Sequence, residues 1–158
     1  MSRIFVTGSA EGLGLMAVRL LSKQGHDVVL HARNCARAPD ARQALRAADV
    51  VIGDVSTIAG ARSVAEQANA LGRFDAVIHN VAVGYRERRR VETSDGLPQV
   101  FATNVLAPYI LTALMRRPQR LIYLSSGLHR STTAELDDVS LAEAPLGRRQ
   151  SLFRNQAL

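Results

Sequence analysis

The 158-residue sequence contains one cysteine, one lysine and no tryptophan. A lone Cys35 excludes a disulfide framework and a cysteine-rich metal site. Aromatic residues are scarce, four phenylalanines and three tyrosines, and they are not interleaved with basic residues. The stacking platform that a single-stranded nucleic acid needs is therefore missing. No apolar run approaches the roughly eighteen residues of a membrane-spanning helix. The N-terminal "MSRIFVTG" enters a short apolar run without the long hydrophobic region of a secretory leader. These absences set the expectation of a cytoplasmic protein with no nucleic-acid partner and no membrane partner. His26, His31, His79 and His129 show no metal-like spacing with acids, so each reads as a strand-end or loop residue and no metal is expected.

With lysine nearly absent, the net charge of +6 is carried by nineteen arginines. They are scattered. Only "RERRR" (86–90) is dense, and it reads as a solvated loop. A basic surface of this kind remains compatible with attraction of a phosphorylated cofactor. The length suits one domain with a real core.

Short runs rich in valine and isoleucine lie at 3–7, 27–31, 49–53, 75–80 and 120–126. Near-continuous apolar runs of strand length suit strands covered on both faces. Helix candidates fall between them at about 12–24, 36–47, 57–71 and 97–116. In the first, Leu13, Met16, Ala17, Leu20 and Leu21 form the stripe expected to face the core, with Gly25 as the stop. Strict alternation of strand and helix predicts a parallel sheet with helices on both sides. After Gly127 the pattern decays. Residues 1–130 are expected to form one α/β domain, which the motifs below mark as dinucleotide-binding, and 131–158 an irregular or partly helical tail.

"TGSAEGLG" (7–14) stands where the first strand turns into the first helix. Gly8 permits a tight turn, Gly12 a close backbone approach to a pyrophosphate, and Gly14 close helix–strand packing. The helix N-terminus adds the positive end of its dipole. The amides around 8–14 are thus expected to converge on a diphosphate.

These residues resemble the loop of the short-chain dehydrogenases/reductases, Thr-Gly-x-x-x-Gly-x-Gly. The resemblance continues through "GDV" (53–55), "HNVAV" (79–83), "NVLAPY" (104–109) and "YLSSG" (123–127), and covers residues 3 to about 130. It implies a three-layer α/β/α, Rossmann-like, doubly wound parallel sheet, with five strands in the order 3-2-1-4-5 and truncated after the fifth. It also implies an oxidoreductase that moves a hydride between NAD(P)(H) and a carbonyl or alcohol. The cofactor contacts so implied are Gly8, Ser9, Gly12, Leu13, Gly14, Arg33, Asp54, Val55, Asn80, Val81 and Ala82. At the end of the second strand, "HARN" has Ala32 where NAD-selective members carry an acid, followed by Arg33. A guanidinium there favours the 2′-phosphate, hence NADP over NAD. Asp54 falls where the family contacts adenine, and alternatively caps the helix beginning near Thr57. Ala82 replaces the family's final glycine in "HNVA".

Of the family's catalytic groups, Asn104 and Ser126 match. Pro108, four residues after Asn104, has no N–H to give to the Asn104 carbonyl, the group the family uses to hold a water. The family's Tyr-x-x-x-Lys is missing. Tyr85, Tyr109 and Tyr123 all precede Ser126, and Lys23 lies in the first helix. The nearest imitation, Tyr85-x-x-x-Arg89, sits in a different loop. Three readings stay open: an oxidoreductase whose proton donor comes from elsewhere, a non-catalytic dinucleotide-binding or regulatory module, and a shortened inactive remnant. A fifth strand left at the sheet edge is expected to drive self-association, or to be hidden by the tail.

Overall fold

The computed structural model describes residues 1–37, 49–84 and 91–127. The helix expected over 36–47, the basic run 86–90 with Tyr85, His129 and the tail 131–158 lie wholly or largely outside the described residues.

Five strands, β1 (Arg3–Val6), β2 (Asp27–Ala32), β3 (Val50–Ile52), β4 (Ala76–His79) and β5 (Arg120–Tyr123), form one sheet. Its order is β3-β2-β1-β4-β5, and every pairing is parallel. The order 3-2-1-4-5 holds. Strand side chains alternate between faces, so each apolar run feeds two cores. On one face Phe5, Val29, Val51 and Val77 pack with Ala61, Val64, Ala65, Ala68, Ala107, Leu111 and Met115. On the other, Ile4, Val6, Val28, Leu30 and Ala76 pack with Val18. At the opposite end of the sheet from the loops discussed below, Arg3 binds the Leu71 carbonyl and the carboxylates of Asp27 and Asp49.

The first face is covered by α2 (Ile58–Ala70) and the helical run near 97–116. Thr57 starts α2, its side chain accepting from the Gly60 N–H at 3.0 Å. The later run has three parts: α3 (Gln99–Phe101), a π-helical turn (Ala102–Leu106) and α4 (Ala107–Leu114). In the wide turn the Ala107 N–H reaches the Ala102 carbonyl, five residues back. Pro108, next in line, has no N–H for the Asn104 carbonyl, and π turns of this kind recur at functional sites.

Helix α1 (Gly12–Lys23) covers the second face, but of the stripe read from the sequence Leu21 packs against that core while three members point outward. Leu13, Met16 and Leu20 are 74%, 65% and 58% exposed, whereas Gly14 and Val18 are buried. The cause is Gly14. A Cβ on it would lie 2.3 Å from the Gly8 carbonyl oxygen, so the helix seats its glycine against the strand-end loop. That contact rotates 14 and 18 inward and leaves 13, 16 and 20 outside.

Strand β5 pairs with β4 and, among the described residues, with no other strand. All four of its residues are exposed, and Leu121, Ile122 and Leu124 remain 39%, 39% and 55% accessible.

Candidate cofactor site

The loops that follow β1, β2, β3 and β4 meet at the C-terminal edge of the sheet, where ligands bind in folds of this type. Thr7 and Asn80 join the first and last of these loops. The Thr7 hydroxyl oxygen accepts from the Asn80 and Val81 N–H groups at 2.9 and 3.2 Å. The Asn80 side-chain amide donates to the carbonyls of Thr7 and Gly8 at 2.9 and 3.1 Å. Val81 packs on Gly8, where a Cβ would fall 2.8 Å from its methyl. Gly8 turns with φ +63°, in the left-handed region that favours glycine.

His31, read from the sequence as a strand-end residue, is the lock of this edge. Its Nδ1 accepts from the Gly8 N–H at 2.9 Å, and its Nε2 lies 2.8 Å from the Gly53 carbonyl. These partners require the neutral ring with hydrogen on Nε2. Burial pushes the imidazole pKa down, against smaller opposing effects of the Gly53 carbonyl and Asp54. The backbone of His31 then binds Ser9 twice: Ser9 N–H to the His31 carbonyl at 3.1 Å, and His31 N–H to the Ser9 hydroxyl at 2.9 Å. The same hydroxyl donates to the Val6 carbonyl at 2.9 Å.

Two expectations change accordingly. Ser9 is fully buried, and its polar groups join β1 to β2 rather than face a ligand. The Gly8 and Ser9 amides are likewise spent on His31, so the convergence expected over 8–14 narrows to 12–14. Glu11 precedes α1 in extended backbone and makes no side-chain cap. The first turn closes from the Leu15 N–H to the Glu11 carbonyl at 3.2 Å. Gly12, Leu13 and Gly14 are left with N–H groups that have no acceptor within the helix. Gly12 has φ +58°, and a Cβ there would meet nothing within 4 Å. Unpaired amides at a helix N-terminus, beside open space, fit a diphosphate.

At the next loop the structure pairs two residues assigned separately from the sequence. Arg33 Nε and Nη2 both reach Asp54 Oδ2 at 2.8 Å. Asp54 Oδ1 accepts from the Ser56 N–H at 2.9 Å and the Ser56 hydroxyl at 2.6 Å. Partial burial works against its ionisation, but Ser56 and then Arg33 outweigh it and hold the carboxyl below its usual range. Its side chain therefore holds Ser56, while Thr57 caps α2. The Val55 side chain is buried in the core beneath. A second ion pair crosses this edge, Arg37 Nη1 to Glu11 Oε2 at 2.8 Å.

Of the catalytic candidates, Asn104 lies in the π turn. Its Oδ1 accepts from the Val83 N–H and its Nδ2 donates to the Val83 carbonyl, both at 2.9 Å. This double bond pair ties the turn to the loop after β4, where Ala82 is exposed. Ser126 lies just beyond β5 and is exposed. The structure does not bring Tyr123 into the role of the absent tyrosine. Its hydroxyl is 2.7 Å from the Thr112 hydroxyl on α4, and its ring stacks on His79 with centroids 4.8 Å apart. Burial lowers the His79 pKa to about 4. Among the described residues no cluster of His, Cys, Asp or Glu could hold a metal ion, and no helix is long and apolar enough to cross a membrane.

The short chain dehydrogenase family model matches residues 2–121, a range that contains the glycine-rich loop 7–14, the Arg33–Asp54 pair and Asn104. The chain belongs to the short chain dehydrogenase family. It is 49% identical over 143 residues to an uncharacterized oxidoreductase of Emericella nidulans, spanning 89% of this chain and 56% of the relative. It is 43% identical over 140 residues to the short-chain dehydrogenase chyC of Penicillium rubens, spanning 88% of this chain and 54% of that one. Among solved structures, a blue fluorescent protein from a metagenomic library in complex with NADPH superposes with a TM-score of 0.68 at 25% identity. That superposition covers 82% of this chain and 57% of the other. The chain thus spans about half the length of the curated relatives it matches.

Two outcomes follow for this edge. Gly14→Ala drives a methyl into the Gly8 carbonyl and is expected to cost more than about 2 kcal/mol of stability. Gly12→Ala costs only about 1 kcal/mol, for its left-handed backbone. Urea unfolding of both variants checks the order, and equal losses contradict it. The buried histidines also make stability pH-dependent. Their folded pKa values lie below the ordinary 6.5, so below that pH the unfolded chain takes up protons first. Stability is complete above about pH 6.5 and falls toward pH 4. A melting temperature unchanged between pH 7.5 and 5 contradicts this.

Proposed function

We propose that this chain binds a nicotinamide dinucleotide at the C-terminal edge of its sheet, prefers NADP(H) to NAD(H), and serves reduction of a carbonyl or oxidation of an alcohol. The observation that carries the reading is the set of N–H groups at 12–14 that have no acceptor within the helix, with open space at Gly12, next to a loop bonded to His31. When bound, the cofactor supplies the hydride chemistry. Gly12, Leu13 and Gly14 hold the diphosphate through their N–H groups. Arg33 takes a 2′-phosphate, and Ala32 offers no acid to repel it. Asp54 and the Val55 N–H serve the adenine, and Asn80, Val81 and Ala82 line the far side of the crevice. The NADPH complex of the 25%-identical fluorescent protein supports this choice of cofactor.

Ser126 donates a hydrogen bond to the substrate oxygen, and Asn104 holds the relay water through its carbonyl. No Tyr-x-x-x-Lys follows Ser126 in the sequence. Acid/base assistance is worth about 10²–10⁴-fold, and none of the residues assigned here supplies it. A second reading is a dinucleotide-binding module without turnover. NADPH binding without NADPH oxidation, across a panel of aldehydes and ketones, selects the second reading; oxidation that Ser126→Ala abolishes selects the first.

The outer edge of β5, which no other strand covers among the described residues, and the exposed Leu121 and Ile122 pair with a second copy of the chain. Light scattering after size exclusion is expected to give a dimer or larger, and a clean monomer contradicts this pairing. Calorimetric titration tests the binding itself. NADPH is expected to bind more tightly than NADH, and Arg33→Ala to weaken NADPH by about tenfold with NADH nearly unchanged. Absence of binding contradicts the proposed function, and equal losses contradict the role of Arg33.

A further inference from the structure

The loop after β2 carries two arginines, and each is held by an acid from a neighbouring loop. Arg33 reaches across to Asp54 beyond β3, and Arg37 reaches the other way to Glu11 beyond β1. The two guanidinium groups thus flank the end of β2 from opposite sides. Arg37 is not left to chance. Its N–H is held by the carbonyl and side-chain oxygen of Asn34 at 3.1 and 3.2 Å, which fixes the turn that aims it. The Arg33–Asp54 pair is half-buried at its acid, whereas the Arg37–Glu11 pair is well exposed, with side-chain accessibilities of 53% and 70%. Exposed pairs of this kind are weak and exchangeable.

Glu11 is the odd member. It immediately precedes Gly12, at the mouth where a dinucleotide would lay its phosphates. An unneutralised carboxylate there repels that ligand. The Arg37 bridge removes the repulsion in the ligand-free protein, and it also keeps a second guanidinium within reach of the β2 end. A phosphate monoester carries about −1.5 to −2 charges and three acceptor oxygens. It therefore outcompetes a single exposed carboxylate for an arginine.

We propose that Arg37 is a second determinant of 2′-phosphate recognition, and that Glu11 is its resting partner, competing with the phosphate for the same guanidinium. The proposal rests on the dinucleotide-binding reading above and adds to it a named pair of residues. Glu11 sets a threshold: it holds Arg37 against weak monoanions and yields it to a phosphomonoester.

Adenosine 2′,5′-bisphosphate and adenosine 5′-monophosphate differ only in the group at issue, and calorimetric titration of both gives an affinity ratio for each variant of the full chain. Arg37→Gln is expected to lower the preference for the bisphosphate by about tenfold, and Arg37→Lys to retain part of it. Glu11→Gln is expected to raise the preference several-fold, because its competition is removed. Both positions are exposed, so thermal melting is expected to stay near wild type and separates loss of recognition from loss of fold. If the wild type binds the bisphosphate preferentially and neither Arg37→Gln nor Glu11→Gln moves the ratio beyond about twofold, this inference fails and the proposed function stands. If the wild type binds neither nucleotide, or both alike, the inference falls together with the reading it rests on.

Discussion

The edge of the sheet that matters is organised by one imidazole. His31 accepts from the Gly8 N–H and reaches the Gly53 carbonyl, so a single buried ring spans the loops after β1, β2 and β3. Its own backbone clasps Ser9 on both sides. A glycine-rich turn is entropically costly to order, and here the order comes from a side chain on the adjacent strand. Asn80 and Thr7 complete the arrangement from the β4 side. What remains at the start of α1 is small: the N–H groups of residues 12–14, which have no acceptor within the helix, with open space beside the exposed Gly12 and with Gly14 buried against the Gly8 carbonyl. The loop is thereby built before any ligand arrives, which reduces what binding must spend on ordering.

Much of this was legible in the sequence, and the parts that were not share a cause. The strand runs, their order and the glycine spacing are local signals, and parallel sheets obey handedness rules that leave few topologies. The inward face of α1 was misread because hydropathy ranks leucine above glycine. The contact that sets the helix rotation is a glycine seated on the Gly8 carbonyl, which no hydrophobic stripe records. The bonds that His31 and Ser9 make were not read from the sequence, for a related reason. Their roles depend on which strand lies beside which, at sequence separations of more than twenty residues. A histidine at the end of an otherwise apolar strand, one strand over from a glycine turn, was the available hint. The pairing of Arg33 with Asp54 was equally invisible as a pair, although each was singled out alone.

The π turn shows a milder version of the same point. Pro108 signalled an irregularity near Asn104, and the widened turn lies directly before it. The sequence did not reveal that the Asn104 side chain would bind Val83 through both its polar atoms. Those two hydrogen bonds tie the π turn that carries the candidate catalytic asparagine to the loop after β4. The family relatives extend to nearly twice the matched length, and among the described residues exposed apolar side chains stand on β5 (Leu121, Ile122), on α1 (Leu13, Met16, Leu20) and along the later helical run (Val105, Tyr109, Leu114).

The central claim is that the amides of residues 12–14, not those of 8 and 9, receive the diphosphate. An amide-resolved NMR titration with NADPH reads this directly. The account predicts large shifts at Gly12, Leu13 and Gly14, with Gly8 and Ser9 nearly still behind His31. Unmoved resonances at 12–14, or the main shifts at 8 and 9, would contradict it.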